Sequence, residues 1–521
     1  MPFSFEDLKD SGALEDLKSI RRGIEKESLR IDSLGSISAQ EHPKALGSAL
    51  TNSFVTTDFS EALLELVTPT FIEVKECIDF LEQIHVFVHR SIGDELLWPL
   101  SMPCPVDAEE EIPIGYYGTS NSGLMKRAYR EGLAQRYGRK MQAIAGIHYN
   151  FSFPNSFFKK IIQHKKERES LKDIKNQSYL GLARNFKRME WLYFLLFGAS
   201  PVIPENFTGK KLDNFKNLNY GGSYKTFATS LRMGSLGYIS EVQDDLNISM
   251  NSLEEYCRDL KIALSKPHHA YERIGEFDSD RRIQLNSSVI QIENEYYNTI
   301  RPKRICPPGK RPINILKQDG IDYLELRCVD LDPFCPIGIN AEQINFLDIF
   351  LIFCLLKPSP PLTKDEMSHL KTNHEKIINS GRDPKLTLFY EGKELQVQKA
   401  AELLLDEIKE VCLIVESFIL QKDDSSSWQE SIKLQKNKVK DFGKTPSHKL
   451  ISKLEKDKIS YTELGVTIAS ENKSFFKNCK DRSIKTLEEE AIVSNIKQKK
   501  LETSQEKSFE EYLDNFLGQV S

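Results

Sequence analysis

The sequence predicts an α+β chain, and three observations predict it. Segments near 21–31, 142–153 and 322–330 alternate with period two, as strands do. Longer segments between them repeat apolar residues at helical spacing. The 521 residues are 40% hydrophobic and 10% aromatic, enough for a sizeable core. Length alone suggests roughly two to four domains or one large mixed one.

Taken in order, residues 5–20 read as a short amphipathic helix and 21–31 as a strand. Ser33 to Ser36 is a turn in which Gly35 suits a positive φ. Residues 49–68 read as a second strand-like segment with a short turn after it. Ile78, Leu81, Ile84 and Val88 place a helix in 71–94. Residues 99–123, rich in Pro and Gly, form a long loop, a length uncommon unless functional. A helix follows over 125–137, then a strand over 142–153. Residues 155–176 read as a solvated helix and 179–197 as a core helix stopped by Gly198 to Pro201.

Ser252 to Glu255 has the form of a capping box and opens a helix to 265. Residues 282–295 and 322–330 read as strands, 344–356 and 398–420 as core helices. Beyond about 421 Lys, Glu and Ser dominate. The expected organisation is therefore a main domain over 1–420 and a charged helical extension over 421–521, packed on the same domain.

Composition narrows the function classes. Lys plus Arg is 71 and Asp plus Glu is 76, so the net charge is -5 and no nucleic-acid or membrane partner is expected. The most hydrophobic run, 349–356, is too short to span a bilayer. No signal peptide is visible at the N-terminus. The nine cysteines are scattered without a C-x-x-C pair, as expected of reduced thiols in a cytoplasm.

Five constellations carry chemistry. Glu25 and Glu27 share a strand face, where two carboxylates need water or a divalent cation to coexist. Asp58, Glu61 and Glu65 follow a 3, 4 spacing, which reads as one face of about one helical turn. That spacing also suits a solvated helix face, though Phe59, Leu63, Leu64 and Leu66 make the segment apolar for one. His148, Asn150 and Ser152 alternate with Tyr149, Phe151 and Phe153: a lined cavity, or a half-exposed strand with a hydrogen-bonded His. Glu325 and Arg327 alternate with Leu324 and Leu326. Glu is a hard oxygen ligand and Arg a fork for phosphate or carboxylate, but a salt bridge on a wet sheet face uses the same pair. Arg232, and Arg301 to Arg304 after Tyr296 and Tyr297, are cations that suit a small-molecule carboxylate or plain surface exposure.

Phosphate-loop signals are missing. Gly443-Lys444-Thr445 resembles the end of a P-loop, but Lys438 stands where the leading Gly belongs. If ATP is used, metals and cations must hold its phosphates. The acidic candidates are too many for one magnesium, so two or three ions are expected.

Read together, these segments resemble the bacterial glutamate–cysteine ligase family, type 1. The resemblance rests on Arg22-Gly-Ile-Glu-Lys-Glu-Ser-Leu-Arg30, Thr56-Thr-Asp-Phe-Ser-Glu-Ala-Leu-Leu-Glu65 and Trp98-Pro-Leu-Ser-Met-Pro-Cys104. It continues through Tyr129-Arg-Glu-Gly-Leu133, Gly146-Ile-His-Tyr-Asn-Phe-Ser152, Ala228-Thr-Ser-Leu-Arg232, Gln291-Ile-Glu-Asn-Glu295 and Ile300-Arg-Pro-Lys-Arg304. It spans about residues 20 to 420 and departs in the tail.

The resemblance implies a glutamine-synthetase-like fold, a curved antiparallel sheet forming a funnel-shaped active site surrounded by helices. It implies ATP-dependent joining of cysteine to the γ-carboxylate of glutamate through a γ-glutamyl phosphate, the first step of glutathione synthesis. Matched position by position, it implies Glu25, Glu27, Asp58, Glu65, His148 and Glu325 as ligands of Mg2+, with Mn2+ an alternative. Arg327, with Arg130, would act on the transferring phosphoryl group. Arg232, Tyr238 and Tyr297 would hold the cysteine carboxylate, and Phe59, Tyr129, Leu133, Gln142 and Ile144 would surround its side chain. The expected partners are glutamate, cysteine and ATP, with a monomer favoured. The rivals are a related ligase using another amine and a non-catalytic nucleotide- or metal-binding protein. A fused second synthetase domain does not fit the final ~100 residues.

Overall fold

Strand β1 (Arg21–Ile31) is the axis on which the site is built. The structure, a computed structural model, describes residues 3–165, 169–208, 213–218, 220–237, 241–244, 246–419, 427–479 and 482–520. With β1 go β2 (Val55–Thr57), β3 (Leu63–Val67), β4 (Leu96–Leu97), β5 (Ile147–Ser152), β6 (Ile300–Lys303) and β7 (Tyr323–Val329). They form one sheet in the order β6-β7-β5-β1-β3-β2, with β4 on the end of β1. Its pairings are antiparallel throughout.

The register sorts the side chains. Residues directly opposite each other point to the same face. Ile24 opposite Tyr149, Ser28 opposite Leu64 and Leu326 opposite Tyr149 define the core face. Helices α1 (Val74–Ser91), α3 (Leu171–Phe197) and α4 (Ala341–Leu356) belong to the same core, and α2 (Asn121–Tyr137) to the other side of the sheet. α4 is apolar almost all round, and nearly every residue of it is buried. Its buried acid, Asp348, meets the Arg22 guanidinium at 2.9 Å and accepts from the Tyr149 hydroxyl at 2.5 Å. Truncating one partner of such a buried pair costs roughly 3–5 kcal/mol, because the other charge is stranded.

Several sequence expectations are corrected. Residues 58–65 are not a helical turn. Asp58 to Ala62 form a tight turn between β2 and β3, closed by Asp58 N–H donating to Leu63 C=O at 3.0 Å. Phe59 takes φ +57, a left-handed conformation that breaks the helical phase the acids suggested. Residues 282–295 are mostly irregular, with short pieces at Arg281–Arg282 and Glu293–Glu295. Ile283, Leu285, Val289 and Ile290 are buried there in a wrapped loop, in consecutive stretches rather than in alternation. Side chains replace a ladder there: Gln291 accepts from Leu285 N–H and Glu295 accepts from Gln291 N–H. Gln142 ends a short helix, Arg139–Gln142, rather than starting a strand. Residues 155–176 divide between two helices, Asn155–Lys165 and the start of α3. Ser252 caps its helix, but Glu255 turns to Ser249 instead of closing the box.

After α5 (Val397–Ile419) come α6 (Ser427–Lys440), α7 (Pro446–Asp457), α8 (Tyr461–Asn478), α9 (Lys485–Thr503) and α10 (Phe509–Leu517). Each buries one apolar stripe. On α8, Phe476 stacks on His85 and His89 of α1, with centroids 5.0 and 5.3 Å apart. Gly465 meets the Trp98 indole so closely that a Cβ would sit 2.1 Å from the ring, so only glycine fits. On α9, Ser494 and Gln498 hydrogen-bond to the 48–51 turn. No helix among the described residues is long and apolar enough to cross a membrane.

Candidate active site

The second face of the sheet carries the acids. Glu25 lies opposite His148, Glu27 opposite Glu65, and Asn150 opposite Glu325. Three cross-strand pairs therefore place four carboxylates and an imidazole on one surface, and the 58–62 turn adds Asp58 at its edge. His148 Nδ1 is 3.1 Å from Glu25 Oε2, and its Nε2 is 3.9 Å from Glu27 Oε1. Glu25, Glu65 and His148 offer ligand atoms that all lie within 4.8 Å of one another. All six sequence-selected ligands border a single cavity of about 510 Å³. Glu61 does not join them. Its carboxylate accepts from His42 N–H and Tyr116 N–H and ties loops together behind the turn.

The charges are unevenly satisfied. Burial works to raise every one of these carboxyls, and the neighbours decide the outcome. Glu325 is held well below the ordinary carboxyl value because Lys303, Arg327 and Arg301 outweigh its burial. Burial is likewise overcome at Glu25 by the His148 hydrogen bond and charge, and at Asp58 by Arg130 and Arg327. Glu27 goes the other way: burial and Asp58 raise it against His148. Glu65 is pushed well up, by burial and then by Asp58, Glu25 and Glu27. Two carboxyls pushed up by burial and by their acidic neighbours mark a surface short of positive charge. The donor set, carboxylate oxygens with one imidazole, suits magnesium or manganese.

Helix α2 lies against the cavity. Ser120 caps it, accepting from Gly123 N–H at 3.2 Å, and it presents Tyr129, Arg130 and Leu133 inward. Arg130 Nη2 is 2.9 Å from Asp58 Oδ1, and its guanidinium lies 4.7 Å from the Tyr117 ring centroid. Arg327 Nη1 and Lys303 Nζ each sit 3.3 Å from Glu325. Arg232 Nε is 2.8 Å from Asp330, and its guanidinium lies flat against Gly146, where a Cβ would come within 2.7 Å. Gly146 N–H in turn donates to Glu27 at 2.7 Å, so cation and acid share one backbone turn. Gln142 donates to the Tyr297 hydroxyl at 2.9 Å.

Of the remaining sequence-selected residues, Tyr129, Leu133, Gln142, Ile144, Arg232 and Tyr297 all border the cavity. Phe59 does not: its ring is 1% exposed and belongs to the core behind the turn. Tyr238 lies outside the described residues.

Sequence reasoning missed several others. Asn150 donates to Glu25 Oε1 at 2.8 Å, while its own Oδ1 is buried without a hydrogen bond among the described residues. Its place in the alternating strand was the available signal. Lys303 was noted only as part of a basic run. Lys126 and, from the tail, Tyr512 of α10 also border the cavity. No sequence signal marks either one.

Comparison with known proteins shows the family. The family model described as glutamate-cysteine ligase matches residues 5–377. A glutamate–cysteine ligase of Alcanivorax borkumensis is 41% identical over 519 residues, 98% of each chain. One from Pseudomonas syringae pv. syringae is 40% identical over 472 residues, 90% of this chain and 88% of that one. The crystal structure of a Francisella tularensis glutamate–cysteine ligase in complex with AMP superposes with a TM-score of 0.89 at 34% identity, covering 96% of this chain and 98% of that one. A bifunctional glutathione synthetase from Pasteurella multocida matches 94% of this chain and 57% of its own, with a TM-score of 0.72 and 25% identity. The chain belongs to the glutamate–cysteine ligase family and is an ATP-dependent ligase of the first step of glutathione synthesis.

Proposed function

We propose that the acid-bearing sheet face binds two or three Mg2+ ions, with Mn2+ able to substitute, and that the cavity above it joins cysteine to glutamate. One observation carries the reading: five carboxylates and an imidazole from four strands and a turn converge on one cavity, bordered by Arg130, Arg232 and Arg327. Glu25, Glu27, Asp58, Glu65, His148 and Glu325 would hold the ions. Bound there, the ions would neutralise the ATP polyphosphate and favour loss of its γ-phosphoryl group.

The chain's own residues have separate tasks. Arg327 and Arg130, both held by carboxylates at the cavity, stabilise the charge that develops on the phosphoryl group in flight. A γ-carboxylate oxygen of glutamate attacks the γ-phosphorus, and ADP leaves. The cysteine amine then attacks the acyl carbon, and phosphate leaves. Activation by phosphorylation makes a protein nucleophile unnecessary.

Arg232 and Tyr297, with Tyr238, hold the cysteine carboxylate. Tyr129, Leu133, Gln142 and Ile144 wall its side chain, and Phe59 supports the turn that bears Asp58. A small apolar wall discriminates by only about 1–3 kcal/mol per methylene, so near-isosteres of cysteine should react slowly.

The sheet is read as the wall of a glutamine-synthetase-like funnel. Its all-antiparallel pairing and the cavity on one face support that reading. Residues 1–420 are read as the catalytic domain and 421–521 as an extension packed on it, supported by Tyr512 at the cavity and by α8 against α1. Phosphate release from ATP and glutamate, with and without cysteine, tests the proposal. Product assays with cysteine, 2-aminobutyrate and other amines test the acceptor, and cysteine as the poorest acceptor would overturn it.

A further inference from the structure

Among the described residues five Lys and Arg side chains border the cavity, and four are committed to carboxylates. Arg130 is on Asp58, Arg232 on Asp330, and Lys303 and Arg327 are on Glu325. The fifth, Lys126, is different. Among the described residues its ammonium makes no hydrogen bond or ion pair. It rests on the Tyr117 ring, 4.5 Å from the centroid, and feels the charges of Glu65 and Asp58 from a distance. An aromatic face holds a cation in place without consuming its hydrogen-bond donors. All three N–H donors of Lys126 therefore remain available to a ligand.

Position identifies the ligand's chemistry. Lys126 stands one turn before Arg130 on α2, on the side away from Leu133, which borders the proposed cysteine pocket. Four residues along a helix advance about 6 Å. Glutamate's two carboxyl carbons are joined by four C–C bonds of about 1.5 Å, or about 5 Å apart when extended. A γ-carboxylate brought to Arg130 and Arg327 for phosphorylation thus puts the α-carboxylate within reach of Lys126. Leu50, Leu63 and Met125 also border the cavity and give it apolar lining suited to two methylenes.

We propose that Lys126 recognises the α-carboxylate of glutamate and so sets which carboxylic acid the enzyme phosphorylates. This rests on the reading of the cavity as the ligase site. Arg130 and Arg327 engage the end of the substrate that reacts; Lys126 engages the end that does not. A charge-assisted hydrogen bond of this kind predicts about a 10- to 100-fold loss on removal.

The test is a substrate–enzyme cycle with Lys126→Gln and Lys126→Met. Glutamate is compared with 4-aminobutyrate, which keeps the amine and the reacting carboxylate but lacks the α-carboxylate. The variants should lose about 10- to 100-fold in kcat/KM for glutamate and almost nothing for 4-aminobutyrate, with the KM for ATP and for cysteine within about threefold of wild type. Calorimetric titration of glutamate into wild type and variants, with Mg2+ and a non-hydrolysable ATP analogue present, should show the same loss in binding. Equal losses on both acids, or a rise confined to the KM for ATP, would overturn the assignment. If the wild type failed to form product from glutamate, cysteine and ATP, the ligase reading would fall instead.

Discussion

Replacing Glu65 by Gln should stabilise the metal-free protein while blunting its response to magnesium. Glu25 and Glu65 offer ligand atoms within 4.8 Å of each other. At that distance and an effective dielectric of about 20, two full charges repel by about 3 kcal/mol. In the folded protein the Glu65 carboxyl is accordingly pushed well above 4.5, by burial and by Asp58, Glu25 and Glu27. Folding therefore takes up a proton, and stability is lost as pH rises from 4.5 through the folded value. Glutamine removes both the repulsion and this pH dependence.

An unfolding entropy of about 2.1 cal/mol/K per residue gives about 1.1 kcal/mol/K over 521 residues, so 3 kcal/mol is about 3 °C of Tm. Differential scanning calorimetry at pH 8 in EDTA, then in millimolar Mg2+, reads the effect. Wild type should melt lower than Glu65→Gln in EDTA and gain more from Mg2+. A variant that melts below wild type in EDTA and gains as much from Mg2+ would refute the reasoning.

Other outcomes follow from the same geometry. Glu25→Gln and Glu325→Gln should abolish turnover, by phosphate release, with circular dichroism unchanged; full activity at ordinary Mg2+ would remove either from the metal shell. Arg232→Ala should raise the KM for cysteine, but it also strands buried Asp330, which costs roughly 3–5 kcal/mol. The double variant Arg232→Ala with Asp330→Asn should recover most of the Tm and none of the KM. The His89 imidazole is pushed down to about 3 and that of His42 to about 4, against an ordinary 6.5, because burial disfavours their charged forms. The unfolded chain protonates first, so stability should fall by about 1.4 kcal/mol per pH unit per group as pH drops below 6.5. Urea unfolding of His89→Leu should show a shallower acid slope, and an unchanged slope would exclude His89 as a contributor.

Much of the site was legible where one strand carried its own alternation. β1 runs from Arg21 to Ile31, matching the segment read from period alone, and Glu25 and Glu27 share its face. Glu65 was selected for the wrong local reason. Its 3, 4 spacing from Asp58 and Glu61 looked helical, whereas a turn with Phe59 at positive φ brings it opposite Glu27. Residues 282–295 read as a strand because their apolar side chains are buried, but they are buried in runs, 283–285 and 288–291, as a loop pinned over a core allows. Lys126 and Tyr512 were illegible for another reason. Each sits on an ordinary helix, and only the tertiary arrangement turns it toward the cavity.

The pleat of β1 has a consequence for how the chain checks itself. Between Glu25 and Glu27 stands Lys26, buried on the opposite face with its ammonium on Ser28 and pushed down to about 7 by burial. A slip of one residue against β3 and β5 would turn Lys26 into the cavity and send both glutamates in among Leu64, Leu66 and Tyr149. Two naked carboxylates in that company would cost far more than a folded protein can spare. The acids proposed to hold the metal therefore also proofread the pairing: chains that hold together are chains that have them in place. Specific activity in a preparation should accordingly track the folded fraction, with no compact, misregistered and inactive population to dilute it.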